Sequence, residues 1–191
     1  MYLLDTYVVE AMRRFGGKSS DPVLEAWARS VPASQMYLST ATLIELDGAI
    51  NQLKLEVLEQ TDPQLADLKS EQASILRTWL LERLGPSFEN RVLPIDHQVA
   101  QQMVGLNDTL SDKGTCTVIA ATALVHRLPI VTRYPERYAF AGVSIVNPWR
   151  AVDDPERQRL IQEGLDAAER GALIPLETVA AKWRDRAKGN T

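Results

Sequence analysis

The sequence predicts an α/β domain built on a parallel sheet. Three observations carry that prediction: apolar strands only a few residues long, helical segments alternating with them, and polar residues placed just past the strand ends. Short strands separated by helices can be joined side by side only through crossovers, which favours parallel pairing with both sheet faces covered. The chain has 191 residues, 45% of them hydrophobic and 24% charged, enough for one good core and a small appendage.

The first strand spans residues 1–4. The chain turns at Asp5-Thr6 into a helix reaching about Arg14, which Gly16-Gly17 stops. Asp21-Pro22 has the form of a cap and first-turn proline for a helix with Val23 and Trp27 on one face. Residues 36–38 form a second strand, followed by a helix through Glu45 and Ile50. Between residues 63 and 84, Leu65, Leu68, Ile75, Leu76, Trp79 and Leu80 recur at helical spacing and predict one long amphipathic helix. Residues 92–95 are a strand, Asp96 can cap the helix after it, and another helix runs over residues 115–126. Residues 130–132 and 143–146 are the last two strands. In such sheets, polar residues beyond the carboxyl ends of strands converge on one crevice, which singles out Asp5 and residues 132–137.

After Asn147-Pro148-Trp149 the texture changes. Asp153-Asp154-Pro155 opens a charged helix ending near Gly171, and a second runs over residues 176–188. The expected organisation is a domain over residues 1–149 and a helical tail over residues 150–191. The tail is too small to fold alone, so Leu160, Ile161, Leu165, Val179 and Trp183 need a partner surface.

Composition narrows the setting. Cys116 is the only cysteine, so no internal disulfide or thiol-rich zinc site can form, and a reducing cytoplasmic compartment is expected. Met1-Tyr2-Leu3-Leu4 meets Asp5 with no basic leader, and no apolar run approaches the roughly 20 residues a bilayer requires, so no membrane partner is expected. A formal charge of -4 argues against whole-surface attraction to nucleic acid while leaving room for a local site.

Five segments resemble one family in order and spacing: Met1-Tyr2-Leu3-Leu4-Asp5-Thr6, Leu43-Ile44-Glu45-Leu46, Val118-Ile119-Ala120-Ala121-Thr122-Ala123, Val131-Thr132-Arg133 and Asn147-Pro148-Trp149. They are similar to the PIN domain, in particular VapC-type toxins of bacterial toxin-antitoxin systems. The resemblance implies a three-layer α/β/α fold. It also implies an endoribonuclease in which acidic residues hold Mg²⁺ or Mn²⁺ against the scissile phosphate, as hard cations prefer oxygen ligands. It places Asp5 and Glu45 at the first two acidic positions, with Thr6 beside Asp5. Each has an ordinary alternative: Asp5 a turn residue, and Thr42 with Glu45 an S/T-x-x-E capping box.

The other half of the pattern is altered. Where the family has Asp before Thr117-Val118, this chain has Cys116, and a thiol is a poor Mg²⁺ ligand. Where the family has Asn and then Asp after Thr132-Arg133, the chain has Tyr134 and Arg137; Tyr7 replaces a further Asn. Four carboxylates would carry about -4, whereas Asp5, Glu45, a neutral Cys116 and Arg137 carry about -1, so the demand for a metal largely disappears. Arg137 is expected to reach Asp5 or Glu45 through a forked hydrogen bond and stand in for the ion. Two other readings stay open: Asp112 as a substitute metal ligand in an active enzyme, and Cys116 as a reactive thiol of lowered pKa. His97 and His126 belong to no metal-spaced cluster, and Trp27 and Trp79 read as core.

The tail resembles the toxin-binding part of small bacterial antitoxins, through the segment 162–171, Leu173-Ile174-Pro175 and a helix ending in Trp183-Arg184-Asp185-Arg186. The resemblance implies inhibition in cis, with Trp183, Arg184 or Arg186 directed at the acidic site; a tethered segment meets its groove at roughly millimolar effective concentration. The plain alternative is a solvated helical hairpin, the eight acidic and seven basic residues of 151–191 forming a wet face. The expected protein is therefore a decayed or self-neutralised toxin. A separate antitoxin and a homodimer are compatible partners, and RNA is one only if activity survives.

Overall fold

The strands are short because each is apolar for only a few residues before a polar cap or proline intervenes. In the computed structural model, which describes residues 1–107 and 114–150, they are β1 (Tyr2–Leu4), β2 (Met36–Ser39), β3 (Val92–Leu93), β4 (Ile130–Val131) and β5 (Ile145–Val146). All pairings are parallel, in the order β3-β2-β1-β4-β5. The chain winds outward from β1 on one side and then returns to its other side. The strand order therefore reverses between β1 and β4, where α/β sheets open a crevice at their carboxyl edge.

Between the strands lie α1 (Thr6–Met12), α2 (Pro22–Ser30), α3 (Thr40–Glu59), α4 (Pro63–Trp79), a short α5 (Gly85–Ser87), α6 (His97–Asn107) and α7 (Gly114–His126). Alternation along the strands splits the core over the two sheet faces. Leu4, Leu38 and Val131 pack with Val8, Leu24, Leu46 and Phe88 on one side. Leu3 and Ile130 pack with Val99, Ile119, Ala120 and Tyr138 on the other. Ala120, Ala121 and Ala123 of α7 are fully buried, and their small side chains let that helix lie close to its neighbours. Met1–Trp149 forms one compact unit. The helices anticipated in the tail lie outside the described residues.

Asp21 caps α2 as anticipated, its Oδ1 accepting from the amides of Val23 (3.0 Å) and Leu24 (3.1 Å). Its other oxygen accepts from the indole Nε1 of the buried Trp149 at 2.8 Å, which ties the end of this unit to α2. Partial burial works against the charge on Asp21. The Leu24 amide, the Trp149 indole, the Val23 amide and the nearby Arg133 guanidinium outweigh it and hold the carboxyl below the usual range. The stability this contributes is therefore present above the ordinary carboxylate range and lost as pH falls through the depressed value. Asp21→Ala is expected to cost about 1–3 kcal/mol at neutral pH, the sum of a lost cap and an unpaired indole. Urea unfolding of both proteins would show that difference shrinking in acid.

Four local expectations differ from the structure, one of them the third strand, which is Val92–Leu93 and stops before Pro94 rather than running over residues 92–95. The long helix over residues 63–84 is α-helical only to Trp79; Leu80–Leu84 is a π-helical turn, with Pro86 close behind it. A π-turn keeps every residue helical while shifting the register, so hydrophobic spacing does not reveal it. The last strand is Ile145–Val146, and residues 143–144 only lead into it. Residues 135–141, which lie between the expected elements, form a 3₁₀ segment carrying Arg137 and Tyr138.

Candidate functional site

β1 delivers Asp5 to the carboxyl edge of the sheet, where it is 1% exposed. Its amide donates to Val131 O at 3.1 Å and its carbonyl accepts from Val9 N at 3.1 Å, so backbone bonds on both sides fix its position. Each side-chain oxygen has a hydroxyl partner. Thr132 Oγ1, just past β4, donates to Oδ2 at 2.6 Å, and Tyr138 OH, from the 3₁₀ segment, donates to Oδ1 at 2.9 Å. Burial and the neighbouring Asp5 carboxylate push the Tyr138 hydroxyl far above the usual tyrosine range, so it remains a protonated donor.

Glu45 enters from α3, half-buried, and its Oε2 accepts from Thr6 Oγ1 at 2.5 Å. The capping-box reading of Thr42 with Glu45 does not hold. Ser39 is the N-cap of α3, accepting from Ala41 N at 3.2 Å, while Thr42 Oγ1 is buried inside the helix without a hydrogen-bond partner among the described residues. Glu45 is thereby freed from capping and faces Thr6.

Cys116 sits in the first turn of α7, buried and unpaired by any disulfide. Burial raises its thiol pKa; Arg137 pulls the other way, while Asp5 and Glu45 add to the rise. That direction favours the neutral thiol and gives no support to the reading of Cys116 as a low-pKa reactive cysteine. Arg137 sits on the exposed side with its guanidinium beside this thiol. Burial opposes its charge, but Cys116, Asp5 and Tyr138 outweigh that and hold it a firm cation.

Asp5, Thr6, Glu45, Cys116 and Arg137 lie near one another at this edge of the sheet, with a wiring that differs from the expectation. Among the described residues no ion pair joins Arg137 to Asp5 or Glu45; the ion pairs present are Arg29–Glu25, Lys69–Glu56, Arg77–Asp47 and Arg133–Asp21. The guanidinium acts on Asp5 through space, and hydroxyls make the direct bonds. Sequence reading placed Thr132 at the crevice among residues 132–137 without giving it a bond to Asp5, and did not name Tyr138. The available signals were a threonine at the end of β4 and a tyrosine one residue past the substituted position.

Tyr7 and Tyr134, which both stand where the resembled family has asparagine, pack edge to face at 5.0 Å between centroids, and Tyr7 also meets Trp149 at 6.2 Å. The three rings form a continuous aromatic wall. His97 and His126 take no part in the crevice. Asp112 and the tail residues Trp183, Arg184 and Arg186 lie outside the described residues.

A divalent-metal centre is poorly served by this donor set. Among the described residues no three His, Cys, Asp or Glu side chains converge to hold an ion. The crevice offers one carboxylate with both oxygens already accepting, a second shared with Thr6, a neutral thiol and a permanent cation. Hard cations require several free oxygens, and the guanidinium repels them.

No family model matches the chain. The chain is 29% identical over 154 residues to toxin FitB of Neisseria gonorrhoeae, a match covering 78% of this chain and 99% of FitB. It is 31% identical over 157 residues to plasmid stability protein StbB of Pseudomonas syringae pv. tomato, covering 79% and 100%. It is 25% identical over 154 residues to VapC ribonuclease Y4jK of Sinorhizobium fredii, covering 78% and 98%. Among solved structures, FitAcB from Neisseria gonorrhoeae is similar with a TM-score of 0.57 at 27% identity, covering 78% of this chain and 99% of that one. About a fifth of this chain has no counterpart in these matches.

Proposed function

The chain belongs to the VapC-type PIN-domain toxin family, and from that premise we propose that it is a toxin of the ribonuclease lineage whose acidic crevice has become self-compensated. In this reading metal-dependent RNA cleavage is impaired or lost, and the tail, residues 150–191, neutralises what remains in cis through Trp183, Arg184 or Arg186. The protein acts in the cytoplasm and meets antitoxins or active toxins as a binding partner rather than as an RNA-cleaving enzyme. A homodimer is compatible with this role.

One observation supports the reading above the others: both oxygens of Asp5 accept hydrogen bonds from hydroxyls of this chain. Each bond occupies one of the two lone pairs on its oxygen, so Asp5 has less acceptor capacity left to offer a divalent ion. The neutral thiol at Cys116 and the cation at Arg137 point the same way. Two of the family's four acidic positions thus no longer supply negative charge.

Thermal unfolding with and without Mn²⁺ or Mg²⁺ tests this. An ion present at a hundredfold excess over its Kd would stabilise the protein by about 2.7 kcal/mol, an increase in Tm of about 5–10 °C for a chain of this size. The proposed reading expects a shift below about 1 °C and no cleavage of a mixed RNA substrate. A saturable rise in Tm with Mn²⁺, abolished by Asp5→Ala and accompanied by RNA cleavage, would overturn it in favour of an active enzyme with a substitute ligand such as Asp112.

A further inference from the structure

A cavity of about 230 Å³ lies on the face of the sheet that Leu4 enters. Leu4, Val9, Trp79 and Phe88 supply its apolar lining, and Arg13 and Arg83 reach it from α1 and the π-turn. No acidic residue is in its wall. Among the described residues neither arginine forms an ion pair. Arg13 Nε is buried with no hydrogen-bond partner, while its guanidinium carbon stands 6.0 Å from the Trp79 ring centroid.

An unpaired buried donor on a permanent cation is costly, and such groups are few in native proteins. Here it coincides with a second arginine in the same apolar cavity. It also coincides with a π-turn at Leu80–Leu84, a distortion that often accompanies functional sites and that here carries Arg83 and Leu84 into the wall. The volume is several times the roughly 30 Å³ share of one water and below the roughly 300–1,000 Å³ of drug-sized pockets.

The geometry points to a binding site for a small organic carboxylate with an apolar body. The planar guanidinium fork matches a carboxylate, the orphaned Nε–H gains an acceptor, and Trp79 and Phe88 flank the hydrocarbon part. A neutral ligand would leave the Arg13 donor unpaired, and a cation would be repelled. The site is separate from the acidic crevice and does not depend on whether RNA is cleaved.

The test uses the full chain with 4-phenylbutyrate as probe and its neutral amide as control, followed by titration calorimetry and tryptophan fluorescence. The carboxylate is expected to bind saturably at one site, about tenfold or more tighter than the amide, since a charge-assisted hydrogen bond is about twice as strong as a neutral one and each 1.4 kcal/mol is a factor of ten. Arg83→Gln, an exposed substitution that leaves the fold intact, is expected to bring the carboxylate down to the affinity of the amide. Arg13→Gln is expected to do the same if it folds. Absence of saturable binding up to about 10 mM, equal affinity for acid and amide, or full affinity in Arg83→Gln would each overturn the assignment.

Discussion

Replacing Cys116 and Arg137 together by aspartate is expected to turn the crevice into a divalent-ion site. The exchange takes its formal charge from about -1 to about -4, and like charges at such distances cannot all ionise without a counter-charge. It also removes the guanidinium that now supplies that charge. The metal-free variant should therefore be less stable than the parent at neutral pH. Mn²⁺ should restore stability by about 2.7 kcal/mol at a hundredfold excess over its Kd. If the remaining crevice geometry suits a phosphate, RNA cleavage should appear with the ion. Cys116 is buried, so the single variant Arg137→Asp serves as a second measurement: it changes an exposed side chain and should already bind Mn²⁺ weakly. Both proteins folding by circular dichroism, yet showing no ion-dependent change in Tm, would mean that charge balance is not what keeps metal out.

The sheet was legible because its signal is local: a run such as Leu3-Leu4 before Asp5 needs both faces covered, and both leucines are fully buried. The positions of Asp5, Glu45, Cys116 and Arg137 in one crevice were legible from the order of motifs, since strand ends in a parallel sheet share one edge. The hydrogen bonding among them was not. Which atom reaches Asp5 depends on the path of residues 135–141, and a 3₁₀ segment has no long-period pattern to announce it. That path aims Tyr138 inward and leaves Arg137 at the surface, the opposite of what charge alone suggested. The capping-box alternative for α3 fails for a related reason: Ser39 and Thr42 are both favoured N-cap residue types, and the pairing of β2 with its neighbours ends the strand at Ser39.

The hydroxyl cage around Asp5 leads to the second large expected effect, and its sign separates the two descriptions of the crevice. In a site built for metal, an isolated acidic cluster is strained, and removing one carboxylate relieves repulsion and stabilises the ion-free protein. Here Asp5 accepts from Thr132 and Tyr138. Asp5→Ala strands both hydroxyls in a buried place and is expected to destabilise by about 2–5 kcal/mol, since each unpaired donor costs about 1–3 kcal/mol. The contribution of the bonds themselves can be isolated in the background Thr132→Val/Tyr138→Phe, which removes both donors while largely keeping their shape. There the same Asp5→Ala change should cost less by at least about 1 kcal/mol, the coupling expected of residues in one hydrogen-bond network. Urea unfolding of the four proteins, without added metal, measures the cycle. An Asp5→Ala protein more stable than its parent would show that carboxylate repulsion, rather than hydroxyl bonding, dominates the crevice, and the self-compensated site would have to be abandoned.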